Sequence, residues 1–173
     1  MIFEEKTIES EIIYKGRILT LRKDKVSIND NVIAQREIIE HQGAVAVLAI
    51  TEDNRVVLVK QYRKPIERDI LEIPAGKIDP GEEPIETARR ELREETGYSA
   101  EKMELIYKMY PALGYSDELI YIYQAEGLMA GETEFDEDEN IELIEMPIQD
   151  AFAMLEAGEI EDGKTIIGLL HLR

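Results

Sequence analysis

The stretch Gly76–Tyr98 reads GKIDPGEEPIETARRELREETGY. A loop rich in Gly and Pro, residues 76–84, gives way to a helix. Pro84 suits the first turn, where its missing N–H would be unpaired anyway, and Gly97 is the stop. On that helix Glu91 and Glu95 are four apart and share a face, while Glu94 lies three from Glu91 and next to Glu95. Like charges at this spacing repel by roughly 0.2–0.5 kcal/mol in a bare helix. Three of them on one stripe make sense if a hard cation sits among them, because Mg²⁺ takes carboxylate oxygens. A plainer reading stands beside this one. Glu86, Arg90 and Glu94 form an i, i+4 ladder, and an acid-rich chain carries solvated Glu-rich helices by composition alone.

Upstream of the helix, Gly43-Ala-Val-Ala-Val-Leu-Ala-Ile50 is an unbroken apolar run of strand length. A turn at Glu52-Asp53-Asn54 leads to a second strand over 56–61, and 69–73 is a short third, ended by Pro74-Ala75-Gly76. Downstream, strands are expected over 104–109, 119–126 and 141–146, with an acidic loop over 132–140 before the last. Residues 148–157 and 165–172 read as amphipathic helices. The first 40 or so residues alternate as strands, broken at Lys15-Gly16 and Asn29-Asp30-Asn31. They carry little apolar mass of their own, so they are expected to pack on something else, a partner subunit included. The pattern predicts an α+β chain: an N-terminal β-sheet domain over 1–40 and a domain of catalytic size over 41–173. There is no internal repeat and no low-complexity linker.

The chain has 173 residues, of which 44% are hydrophobic, enough for a real core. Lys and Arg total 20 against 38 Asp and Glu, a formal charge of −18. Such a surface repels phosphate backbones and anionic headgroups, which argues against general binding to nucleic acid or membranes. It leaves room for a small phosphorylated substrate if divalent cations bridge the charges. No cysteine is present, which removes disulfides, zinc–thiolate sites, iron–sulfur clusters and a thiol nucleophile. No run reaches the roughly 20 apolar residues of a membrane span. The start, Met-Ile-Phe-Glu-Glu-Lys, lacks the regions of a signal peptide, so a cytoplasmic location is expected. Only four serines occur, and Gly114-Tyr-Ser116-Asp-Glu118 lacks the second glycine of a nucleophile elbow. His41 and His171 are lone, and no P-loop or dinucleotide fingerprint is present.

The spacing decides between the two readings of the helix. Gly76, Glu82, Arg90, Glu91, Leu92, Glu94, Glu95 and Gly97 match, position for position, the Nudix box G-x5-E-x7-R-E-U-x-E-E-x-G-U. Tyr98 departs, being aromatic where a bulky aliphatic residue is usual. The chain therefore resembles the Nudix hydrolases, metal-dependent enzymes that cut a nucleoside diphosphate linked to another moiety. The resemblance implies an α/β/α sandwich with a mixed sheet and more than one Mg²⁺ or Mn²⁺ ion per site. It implies Glu91, Glu94, Glu95 and the carbonyl of Ala75 as metal ligands, with Arg90 and Glu82 orienting them.

Outside the box, Arg36-Glu37, Gly43-Ala-Val-Ala-Val, Gln61-Tyr-Arg-Lys-Pro65 and Glu72-Ile-Pro-Ala-Gly76 look like the ADP-ribose pyrophosphatase branch. That branch implies a homodimer exchanging its N-terminal β-domain, with Arg36, Arg63 and Glu72 near the substrate. It also implies, from the acidic loop, a catalytic glutamate at Glu137 and a further metal ligand at Glu139. One position differs. Leu113 stands where ADP-ribose hydrolases of the family carry a proline, the chain's own being Pro111. Cleavage of ADP-ribose to AMP and ribose 5-phosphate is thus expected, with a GDP-sugar or another sugar nucleotide as the rival substrate. Two further alternatives are a binding module that kept the fold without the chemistry, and an acidic cation-binding protein.

Overall fold

The computed structural model describes residues 4–29, 32–131 and 141–173. The chain divides into two compact units: Met1–Gly43 with Tyr110–Leu119, and Ala44–Met109 with Ile120–Arg173.

In the first unit, strands β1 (Glu5–Lys15), β2 (Leu19–Ile28) and β3 (Val32–His41) form an antiparallel sheet in that order. Segment Tyr110–Leu119 is tied to the end of β3. The Ile39 N–H donates to the Tyr115 carbonyl at 2.7 Å, and Asp117 takes the His41 N–H on its side chain at 2.8 Å. The thin core expected from the sequence is found. Within the three strands only Asp24 and Val26 are buried, and every residue of β1 is exposed, Ile8, Ile12, Ile13 and Tyr14 among them.

The second unit runs β4 (Ala44–Ile50), β5 (Arg55–Arg63), β6 (Arg68–Glu72), β7 (Ala75–Lys77), α1 (Pro84–Thr96), β8 (Tyr98–Met109), β9 (Ile120–Ala130), β10 (Ile141–Pro147), α2 (Ile148–Ala157) and α3 (Gly163–His171). Its sheet has the order β10-β5-β4-β9-β8, with β6 added to β5 and β7 to β4. β4 and β9 are parallel and the other pairs antiparallel, so the sheet is mixed. The unbroken apolar run of β4 has a simple cause: both faces of the strand are covered. Val45, Val47 and Ala49 meet Ala88 and Leu92 of α1, while Ala46 and Leu48 cluster with Ala151 of α2 and Leu169 of α3. The unit is an α/β/α sandwich.

Two elements differ from the sequence expectation. β8 starts directly after Gly97, not at Glu104, and pairs with β9 from Tyr98 onward. Ser99, Glu101 and Lys102 face solvent there, and the adjacent exposed pair Glu101-Lys102 breaks the alternation by which a half-buried strand is recognised. β7 forms across a Pro-Ala-Gly stretch because β4 imposes the pairing, Val45 opposite Gly76 and Ala46 opposite Ala75. No helix among the described residues is long and apolar enough to cross a membrane.

Candidate active site

Helix α1 begins with Pro84 at its first turn and ends where Gly97 turns left-handed, φ 74°, its N–H returning to the Arg93 carbonyl at 2.8 Å. Ala88 and Leu92 hold the helix to the sheet, and Glu95 lies on that same buried flank at 3% exposure. The buried Glu95 carboxylate has a partner. Its Oε2 accepts the Ala75 N–H at 2.9 Å, tying the helix to the strand that precedes the loop. The next residue has to be glycine, since a Cβ on Gly76 would fall 1.9 Å from Cδ of Glu91.

Arg90 gathers the other carboxylates. It donates to Glu82 from Nε at 3.3 Å and from Nη2 at 3.1 Å. From Nη1 it donates to Glu91 at 2.7 Å and to Glu94 at 3.0 Å. Thr87 adds a hydroxyl donor to Glu82 at 2.8 Å. The hydrogen bond to Glu82 is the main reason the guanidinium holds its proton even more firmly than usual, outweighing burial, with Glu91 and Glu94 adding to it. The same bond holds the Glu82 carboxyl below the ordinary carboxylate range. Three carboxylates thus share one guanidinium, with a fourth, Glu95, next in the helix. Their oxygens are drawn to Arg90 and to Ala75 and not to a common point, and among the described residues no trio of His, Cys, Asp or Glu is already arranged around an ion.

The donor set nevertheless fits a divalent metal. It consists of oxygens only, the preference of a hard cation, and its charge exceeds what one arginine offsets. Glu91, Glu94, Glu95 and the Ala75 carbonyl are the groups that could hold one.

Beside the box lies a second charged cluster. Glu72, 3% exposed, accepts Arg63 Nε at 2.6 Å and Nη2 at 3.0 Å, and it also accepts Lys164 Nζ from α3. Burial alone would push the Glu72 carboxyl up; Arg63 and Lys164 together outweigh that and hold it below the usual range. Arg63 is held charged mainly by Glu72, with Glu95 contributing through space. Glu72 lies three residues before Ala75, whose N–H Glu95 holds, so the two clusters are neighbours.

Of the residues expected from the sequence, Glu82, Arg90, Glu91, Glu94, Glu95 and Ala75 are gathered in one place, with Arg63 and Glu72 adjacent. Arg36 lies on β3 of the first unit, bonded to Glu5 by Nε at 2.8 Å. Glu137 and Glu139 lie outside the described residues. His41 accepts the Gly43 N–H at 3.1 Å and lies 3.7 Å from the Glu118 carboxylate within the first unit, and His171 is bonded to Tyr107 at 3.0 Å. Leu113 is 73% exposed. The odd Tyr98 also has a local explanation: its hydroxyl donates to Glu145 of β10 at 2.5 Å, a bond no aliphatic residue could make. Sequence reading missed Lys164, Asp162 and Thr165. The one available signal was the spacing Asp162-x-x-Thr165, a helix N-cap pattern.

Comparison with known proteins bears on this geometry. The chain is 46% identical to a methanol dehydrogenase activator from Bacillus methanolicus, over 99% of this chain and 94% of that one. It is 45% identical to an ADP-ribose pyrophosphatase from Bacillus subtilis strain 168, over 98% of this chain and 93% of the other. A crystal structure of an ADP compounds hydrolase superposes with a TM-score of 0.86 at 25% identity, covering 98% of this chain and 92% of that one. The family model described as NUDIX domain matches residues 40–167, which include every box position gathered around Arg90. By its box, its fold and its relatives, the chain belongs to the Nudix family.

Proposed function

We propose that the chain hydrolyses the diphosphate of ADP-ribose, giving AMP and ribose 5-phosphate, with Mg²⁺ or Mn²⁺ as cofactor and more than one ion per site. The observation that carries this is Arg90 holding Glu82, Glu91 and Glu94 on one guanidinium beside the buried Glu95. Glu91, Glu94, Glu95 and the Ala75 carbonyl hold the metal, and Glu139 adds a ligand. When bound, the cation offsets diphosphate charge and acidifies the attacking water. Arg90, braced by Glu82, keeps the carboxylates in place. Glu137 takes the proton from the attacking water as general base. Arg63 offers its fork to phosphate oxygens, Glu72 holds Arg63, and Arg36 makes a further contact to substrate.

The N-terminal β-sheet domain, residues 1–40, serves as the dimerisation element of a homodimer, which supplies the cover that β1 lacks in the single chain. The protein works in the cytoplasm on a small nucleotide sugar, without nucleic acid or membrane as partner; the formal charge of −18 supports that.

Product analysis on ADP-ribose, GDP-mannose and a dinucleotide, with and without Mg²⁺, tests the reading. Mg²⁺-dependent AMP and ribose 5-phosphate, formed faster from ADP-ribose than products from the rest, is the expected result. Faster cleavage of GDP-mannose would move the substrate; Leu113, standing where ADP-ribose hydrolases of the family carry a proline, is the feature that favours that rival. A second reading, action on a dehydrogenase, follows from the name of the Bacillus methanolicus relative. Adding the chain to a methanol dehydrogenase and following its turnover tests it.

A further inference from the structure

The Glu72 cluster is closed into a ring by the start of α3. The Ile73 N–H donates to Thr165 Oγ1 at 2.8 Å, and that hydroxyl donates to Asp162 Oδ2 at 2.6 Å. The same Asp162 oxygen caps α3 by accepting the Thr165 N–H at 3.0 Å. Its other oxygen accepts Lys164 Nζ at 3.1 Å, and Lys164 returns to Glu72, the residue before Ile73. Glu72 is thereby fixed twice, through the backbone that follows it and through its carboxylate. Thr165 is fully buried and the Lys164 side chain is 11% exposed, so the ring lies inside the unit. Its outer member is Arg63, whose side chain is 40% exposed. Glu72 takes Nε and one N–H of Nη2; the end-on fork of Nη1 and Nη2 has no hydrogen-bond partner among the described residues. Such a fork fits two oxygens of one phosphate. Two carboxylates and two cations balance, so the ring has no excess charge with which to attract a metal.

We propose that Lys164 is a positioning residue for substrate: from α3 it fixes the Glu72 carboxylate, and through Glu72 it aims the open fork of Arg63 at a substrate phosphate. The inference rests on the reading of Arg63 as a substrate contact. Lys164 touches neither substrate nor metal in this scheme. Removing it frees Glu72 to tilt and spreads Arg63 over several directions, which weakens binding of ground state and transition state alike. Such uniform loss raises KM and leaves kcat nearly unchanged.

The test is a double-mutant cycle with Lys164→Met and Arg63→Met, measured on ADP-ribose with Mg²⁺. K164M alone is expected to raise KM about tenfold with kcat within about twofold. In the R63M background the same change adds nothing, because the residue it aims is gone. Lys164→Arg, which keeps a donor for both carboxylates, restores most of the affinity. KM effects that multiply in the double variant, or a fall in kcat at constant KM, would overturn the proposal. If K164M does not fold, as its melting curve would report, Lys164→Gln carries the same cycle. A wild-type protein that cuts GDP-mannose but not ADP-ribose overturns the substrate assignment only, and the cycle is then read on GDP-mannose. Cleavage of neither overturns both readings.

Discussion

Two charged clusters sit side by side in the second unit, and they are built on opposite rules. Around Arg90 three carboxylates share one guanidinium, with the buried Glu95 next to them. Around Glu72 two carboxylates and two cations close a balanced ring. Burying unpaired charge is expensive, so a balanced ring is what a fold builds when it wants a fixed scaffold. The cluster next to it holds more carboxylates than Arg90 offsets, and on the proposed function that is where a cation binds. On that reading the same residue types divide into a part that takes up a cation and a part that holds still.

The largest effect of substitution belongs to the box. Glu95→Gln keeps an oxygen for the Ala75 N–H but loses the charge, so kcat falls by at least about a thousandfold while Tm moves little. Next is Glu72→Gln, which takes the anion from the half-exposed Arg63 and leaves the buried Lys164 with Asp162 alone. It is expected to cost about 3 kcal/mol, read as a fall in Tm of about 10 °C.

Acid carries the same contrast. The folded Glu72 carboxyl titrates below its ordinary range, where it is held against the cost of burial by Arg63 and Lys164. Its contribution to stability is therefore complete above the ordinary carboxylate pKa of about 4.3 and is lost as pH falls through the lower folded value. Wild-type Tm should drop more steeply than that of E72Q over that acid window, as pH-dependent melting curves would show.

A smaller shift is expected from metal. At a Mg²⁺ concentration 100 times its Kd, the folded state gains about 2.7 kcal/mol, seen as a rise in Tm that Glu94→Gln removes and K164M retains. The smallest effect is in the first unit. Glu5→Gln removes the carboxylate that Arg36 holds at the surface, and melting curves should show no measurable change, since an exposed pair of this kind is screened by water and salt.

How much of this was legible beforehand varies with the physics behind each residue. The box could be read because its chemistry fixes both residue type and spacing within one helix and the loop before it. Gly76 is an example: its invariance in the motif corresponds to a Cβ that would overlap the Glu91 carboxylate. β4 was legible as an apolar run, and the two-sided cover by α1 and α2/α3 explains it. Lys164 was not legible, because its partner Glu72 is 92 positions away in the chain and a lone lysine near a helix start signals nothing by itself. β7 and the first half of β8 were missed for a related reason: pairing with β4 and β9 makes them strands, and neither their glycine nor their polar outer face announces it. The loop roles of Glu137 and Glu139 rest on the family resemblance alone.

Hydrolysis of ADP-ribose by wild type and E95Q, compared in Mg²⁺ and in EDTA, separates a metal-holding role of the α1 carboxylates from a structural one. AMP and ribose 5-phosphate are expected from wild type in Mg²⁺, and almost none in EDTA or from E95Q in either. Equal rates for the two proteins, or turnover by wild type that survives EDTA, would contradict the claim that the unbalanced carboxylates of α1 act by holding a cation.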